Sequence, residues 1–101
     1  MLQTARYYYS RGLTSFIGAA DVALGENNRQ QIDQYLGVVE SSAEYFKNTP
    51  NARQQLEDHY KIRVDFREIS AHIRELRHPE PGLGRVRELL SSYMARLNAL
   101  N

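Results

Sequence analysis

The chain has 101 residues, 42% of them hydrophobic and 25% charged, with a formal net charge of +1 and no cysteine. This is enough for one domain, residues 1–101, with one core and no separate catalytic subdomain. The balance excludes a disordered chain, a disulfide framework, thiolate metal sites and a global field that would draw the protein to nucleic acid or a membrane.

The first predicted element carries Leu2, Ala5, Tyr9, Leu13, Phe16, Ala20 and Ala23 at helical spacing. Its apolar run from Leu13 to Leu24 is interrupted by Asp21 and is too short to span a bilayer. It therefore reads as neither a signal peptide nor a membrane anchor, and a cytoplasmic location is expected. Gly25-Glu26-Asn27-Asn28 ends this helix. Asn28, with Gln31 three residues on, is the N-cap signature of a second helix, whose stripe is Ile32, Leu36, Val39, Ala43 and Phe46. Thr49-Pro50 then supplies an N-cap and a first-turn proline for a third helix. That helix has the seam Ile62, Phe66, Ile69, Ile73 and Leu76. The His78–Gly84 loop precedes a fourth helix with Val86, Leu89, Leu90, Tyr93, Leu97 and Leu100. No stretch alternates with period two. Short loops between long helices predict an all-α, antiparallel up-down four-helix bundle, as a monomer or a dimer.

Helix one is under-charged. It carries only Arg6, Arg11 and Asp21, yet it holds Tyr7, Tyr8 and Tyr9 in a row. At about 100° per residue three neighbours cannot share one buried face. With Tyr9 on the core stripe, Tyr8 falls on the flank and Tyr7 points away, on a back face shared with Arg11, Thr14, Gly18 and Val22. The small residues Gly12, Ser15, Gly18 and Ala19 would admit another backbone closely. Tyrosine suits interfaces because it offers large area at low rotamer entropy. This back face is the first expected contact surface, for a second copy or another protein.

The third helix segregates charge. Arg63, Arg67, Arg74 and Arg77 fall within an arc of roughly 80°. Asp33, Glu40 and Glu44 form a matching acidic stripe on helix two, and a hairpin folded at Asn48-Thr49 would pair Asp33 with Arg63 and Glu44 with Arg53. Helix three overhangs helix two, so Arg74, Arg77 and His78 would meet Arg85 and Arg87 across the proline loop, beside Glu75, Glu80 and Glu88. This basic end is the second expected contact surface, for an acidic protein or a phosphate-rich ligand.

The histidines do not make a metal site at the sequence level. Glu68, His72 and Glu75 are expected on the outer face of helix three, and His59 at the edge of its seam. No metal or cofactor is expected. Arg67 to His72 reads R-E-I-S-A-H, which resembles the Arg-x4-His motif of HEPN helical-bundle ribonucleases. That resemblance implies Arg67 as phosphate-binding residue and His72 as acid–base residue, acting across a dimer on RNA. The leading expectation is different: a non-enzymatic interaction module, an adaptor, assembly factor, chaperone or inhibitor. It would bind through Tyr7, Tyr8, Arg11, Gly18 and Val22 and through Arg74, Arg77, Arg85 and Arg87. The HEPN-like, RNA-directed bundle is the alternative, with nucleic acid the less favoured partner.

Overall fold

A computed structural model describes all residues, 1–101. It is all-helical, with five helices: α1 (Leu2–Leu24), α2 (Arg29–Asn48), α3 (Ala52–Tyr60), α4 (Phe66–Arg77) and α5 (Leu83–Asn98). The expected third helix is thus two helices. Lys61 closes α3 in the left-handed conformation, at φ 56°. Val64 N–H donates to the Glu57 carboxylate at 2.8 Å, and the Asp65 carboxylate accepts from the Arg67 and Glu68 amides at 3.0 and 3.2 Å. These bonds satisfy the orphan donors of a new N-terminus and end any continuity through Ile62. The start also moves. Pro50 lies in a turn and α3 begins at Ala52, after Asn51 in the left-handed region at φ 79°. The Asn28 cap is present as expected, its side chain accepting from Gln31 N–H at 3.1 Å.

α1 packs against every other helix, most extensively against α2 and α5. Its inner face combines large side chains, Tyr9, Leu13 and Phe16, with small ones, Ala5, Ala19, Ala20 and Ala23, all buried. Tyr9 beside Phe46, Gly12 beside Ser42 and Gly18 beside Tyr35 show α1 and α2 running in opposite directions. Ser42 Oγ donates to the Tyr8 carbonyl across this seam. On the other flank the Phe16 ring stacks on Tyr93 with centroids 3.7 Å apart, and Arg6 donates to the Leu100 carbonyl at 3.0 Å. α5 therefore also opposes α1.

α4 lies across the core from α1. It meets α2 through Phe66 against Phe46 and through Arg77, which makes a two-point bond to Glu40 at 2.7 and 2.8 Å. The expected Asp33–Arg63 pair is not formed. Asp33 sits 3.7 Å from Arg77, while Arg63 turns to Asp65 at 3.7 Å. The separate α3 consumes the residues that a continuous hairpin would have placed opposite α2. No helix is long and apolar enough to cross a membrane.

The small residues of α1 have a definite occupant. A Cβ added at Gly18 would lie 2.7 Å from the Tyr35 ring, and one at Gly12 would lie 3.1 Å from Ser42 Oγ. Gly37 on α2 has nothing within 4 Å of the same position. Gly→Ala inside a helix is ordinarily stabilising by about 1 kcal/mol. Gly37→Ala should show that gain in chemical denaturation. Gly18→Ala should lose it and shift the midpoint downward, because the Tyr35 ring must give way.

Candidate functional site

The widest concavity opens where α2 ends and α3 and α4 begin. It is an open hollow of about 1020 Å³, with Lys47, Arg53 and Arg67 on its walls and Phe46 and Phe66 at its apolar floor. Phe46 is buried and Phe66 half-buried, their ring centroids 5.1 Å apart. A second hollow of about 470 Å³, lined by Phe66, Arg67, Ser70 and Arg74, continues it along α4. Arg67 and Arg74 stand two helical turns apart, about 10 Å along the axis. Glu44 is the sole carboxylate among the lining residues of either hollow.

These four cations differ from those that the fold engages, and share that state with Arg11, Lys61 and Arg87, which stand apart from one another elsewhere on the surface. Arg77 is neutralised by Glu40 and Asp33, Arg85 by Glu75 and Glu88, and Arg96 by Glu68. Arg29 donates to the Leu76 carbonyl and Arg6 to that of Leu100. Lys47, Arg53, Arg67 and Arg74 engage no carboxylate or carbonyl. The Arg77 guanidinium holds the Glu40 carboxyl below its ordinary range, as Arg85 does for Glu75. Those pairs are self-satisfied. The groove cations are open to a ligand.

The expected basic end is therefore divided. Arg77 and Arg85 are spent on Glu40 and Glu75, locking α4 to α2 and α5. Arg74 and Arg85 share a cleft of about 500 Å³ with Glu75, His78 and Glu80, a mixed-charge lining. Arg87 stands exposed on α5 and outside that cleft. Of the expected residues of this end, Arg74 alone belongs to the groove. Lys47 and Arg53 were the missed members. Their signal was their placement on either side of the Thr49-Pro50 turn, which folds them to one mouth.

The back face of α1 is also divided. Tyr7 is 58% exposed and Arg11 is exposed. Tyr8 is half-buried, stacked on Tyr45 at 4.2 Å and edge-on to Tyr7 at 5.2 Å. Gly18 lies under Tyr35, and Val22 packs against the core. The close approach that the small residues permit is thus made by α2 of the same chain.

Arg67 and His72 do not converge. Arg67 lines the groove, whereas His72 is buried beneath Tyr93 and Phe16. His72 does not face outward, as the spacing through Ile62 predicts, but inward. The buried arc of α4 is Ile69, His72, Ile73 and Leu76. Including Ile62, which is not in that helix, had displaced the seam. His59, for its part, is exposed against Tyr60. The His72 Nδ1 lies 2.8 Å from the Tyr93 hydroxyl. Burial lowers the imidazole pKa and raises that of the phenol, so a neutral histidine accepts from a protonated tyrosine. Arg96 covers the outer side of the Tyr93 ring at 4.7 Å and bonds Glu68 at 2.5 Å. This dyad is closed to a substrate and serves to place α4 on α5.

A histidine whose folded pKa is lowered contributes stability that is fully present above its unfolded value and lost as pH falls below it. Unfolding free energy should therefore decline from about pH 7 toward pH 5 through proton uptake at His72. Denaturation curves across that range should show this slope in the parent chain and a shallower one in His72→Gln.

Comparison of this chain with protein-family models, with curated proteins and with solved structures finds no match in any of the three.

Proposed function

We propose that this chain is a non-enzymatic helical interaction module that binds an acidic segment of another protein along the α2–α4 groove. The observation that carries this reading is the division of its cations. Where the fold needs an arginine it supplies the carboxylate, as for Arg77, Arg85 and Arg96. Around the groove it supplies four cations and one acid. Unpaired cations over an apolar floor suit a partner that brings carboxylates on either side of an apolar anchor. The anchor would rest on Phe46 and Phe66, and its flanking carboxylates would reach Lys47 and Arg53 on one side and Arg67 and Arg74 on the other. Arginine favours carboxylates because its planar fork makes two parallel bonds. Tyr7 and Arg11, exposed on α1, are outside this groove and are not needed for the reading.

The test is capture from native lysate with and without nuclease, comparing the parent chain with Arg67→Glu/Arg74→Glu. These exposed sites should change stability by no more than about 0.5 kcal/mol. The expected result is a discrete protein partner that survives nuclease, elutes with rising salt and is lost in the double reversal. Retention of that partner by the double variant would exclude the groove. Nuclease-sensitive capture with a steep salt dependence would instead identify the cations as phosphate ligands.

A further inference from the structure

α5 carries more apolar surface than its own chain covers. Its core stripe is Val86, Leu89, Tyr93 and Leu100. On one flank of that stripe, Arg85 and Arg96 reach Glu75 and Glu68 of α4. On the opposite flank stand Leu83, Leu90, Met94 and Leu97. Leu83 and Met94 are each 49% exposed, and Leu90 and Leu97 are half-buried. Because α4 occupies the first flank, this second flank borders α1, where Ile17 and Leu24 are likewise half-buried. The antiparallel register set by Phe16 on Tyr93 runs Leu24 toward Leu83 and Ile17 toward Leu90. The outer α1–α5 seam is thus one apolar strip, and it does not include the α2–α4 groove.

Two charges border the strip. Asp21 lies about 40° beyond Ile17 around α1, and Arg87 about 60° beyond Leu90 around α5, on opposite edges. Asp21 is five residues past Phe16, and Arg87 is six residues before Tyr93. At 1.5 Å per residue that is about 7.5 and 9 Å from the stacked rings in the same direction. The two are therefore nearly level across the strip. Both are exposed, and neither side chain takes part in an ion pair or hydrogen bond within the chain.

We infer that the strip pairs with the same strip of a second copy, about a two-fold axis parallel to the helices. Such an axis exchanges left and right edges at constant height. It sets Asp21 of each copy against Arg87 of the other and covers Leu83, Leu90 and Met94 of both. A two-fold axis perpendicular to the helices at this level would oppose Arg87 to Arg87, so the edge charges select the parallel arrangement. This inference is independent of the groove and of what the groove binds.

The test is a charge exchange read by sedimentation equilibrium between about 1 and 200 µM, a span suited to a small interface. The parent chain should dimerise within that span. Asp21→Arg alone and Arg87→Asp alone should each weaken the dimer at least tenfold. An equimolar mixture of the two single variants should form a heterodimer, since opposite charges then meet at both edges, and the double exchange in one chain should restore the homodimer. Met94→Glu should abolish association, with circular dichroism confirming an intact fold. A parent chain that stays monomeric throughout overturns the inference. So does a dimer indifferent to the single reversals, or one that the double exchange fails to restore.

Discussion

The Phe16 ring lying on Tyr93, with the Tyr93 hydroxyl bonded to His72, is the contact on which the arrangement of this molecule turns. It joins α1, α5 and α4 at one buried point. Phe16 and Tyr93 are essentially inaccessible, so the stack excludes water from the one polar bond in its centre. A phenol and an imidazole that remain neutral can be buried together at little cost when each satisfies the other. The same bond fixes where α4 sits along α5, because only one register brings His72 under Tyr93. The outer bonds Glu68–Arg96 and Glu75–Arg85 then follow as consequences of that register. Exposed pairs of this kind are screened by solvent and contribute little stability, so they select geometry while the 21-residue apolar cluster supplies stability.

With α4 keyed to α1 and α5, its relation to α2 is looser. Those two helices meet at Phe46–Phe66 and at Arg77–Glu40, and the space near their α3 end is left open. That opening is where four of the seven unengaged cations gather. Its apolar floor is the outer edge of the core itself, since Phe46 also packs edge-on to Tyr9 and Tyr45. A ligand seated there would thus contact the core through a single aromatic layer. The α1–α5 strip leaves this groove uncovered. A two-fold pair formed through the strip would carry two grooves, and a partner offering two acidic segments would gain by effective concentration.

Much of the helical content was legible because its signals are local. Asn28 with Gln31, the Gly25–Asn28 break and the proline loop each act through neighbours a few residues away. The break between α3 and α4 was equally local, in Asp65 followed three residues later by Glu68, but the apolar spacing through Ile62 and Phe66 masked it. That one misreading propagated. It moved the α4 seam away from His72, and it matched Asp33 to Arg63 when Asp33 lies beside Arg77. The 100° step between neighbours suffices for the tyrosine run, where Tyr9 is buried, Tyr8 is at the rim and Tyr7 is exposed. It does not suffice for the small residues beside it, since a glycine stripe records only that something comes close, and here that is Tyr35 and Ser42.

By itself, then, the amino-acid sequence determined the helices, most of their ends and the inward face of each, because capping and 3.6-residue periodicity are set within a few turns of chain. It also placed arginines and carboxylates in segregated stripes on successive helices. Which of them are neutralised was decided only by the tertiary structure. Arg77 finds Glu40, and Arg67 and Arg74 find no carboxylate, because the lateral placement of α4 depends on the bulk of Phe16, Phe46, Phe66 and Tyr93 packed between four helices. Side-chain volume in the core has no sequence period, so the position of a charge relative to another helix emerges only once that volume is filled.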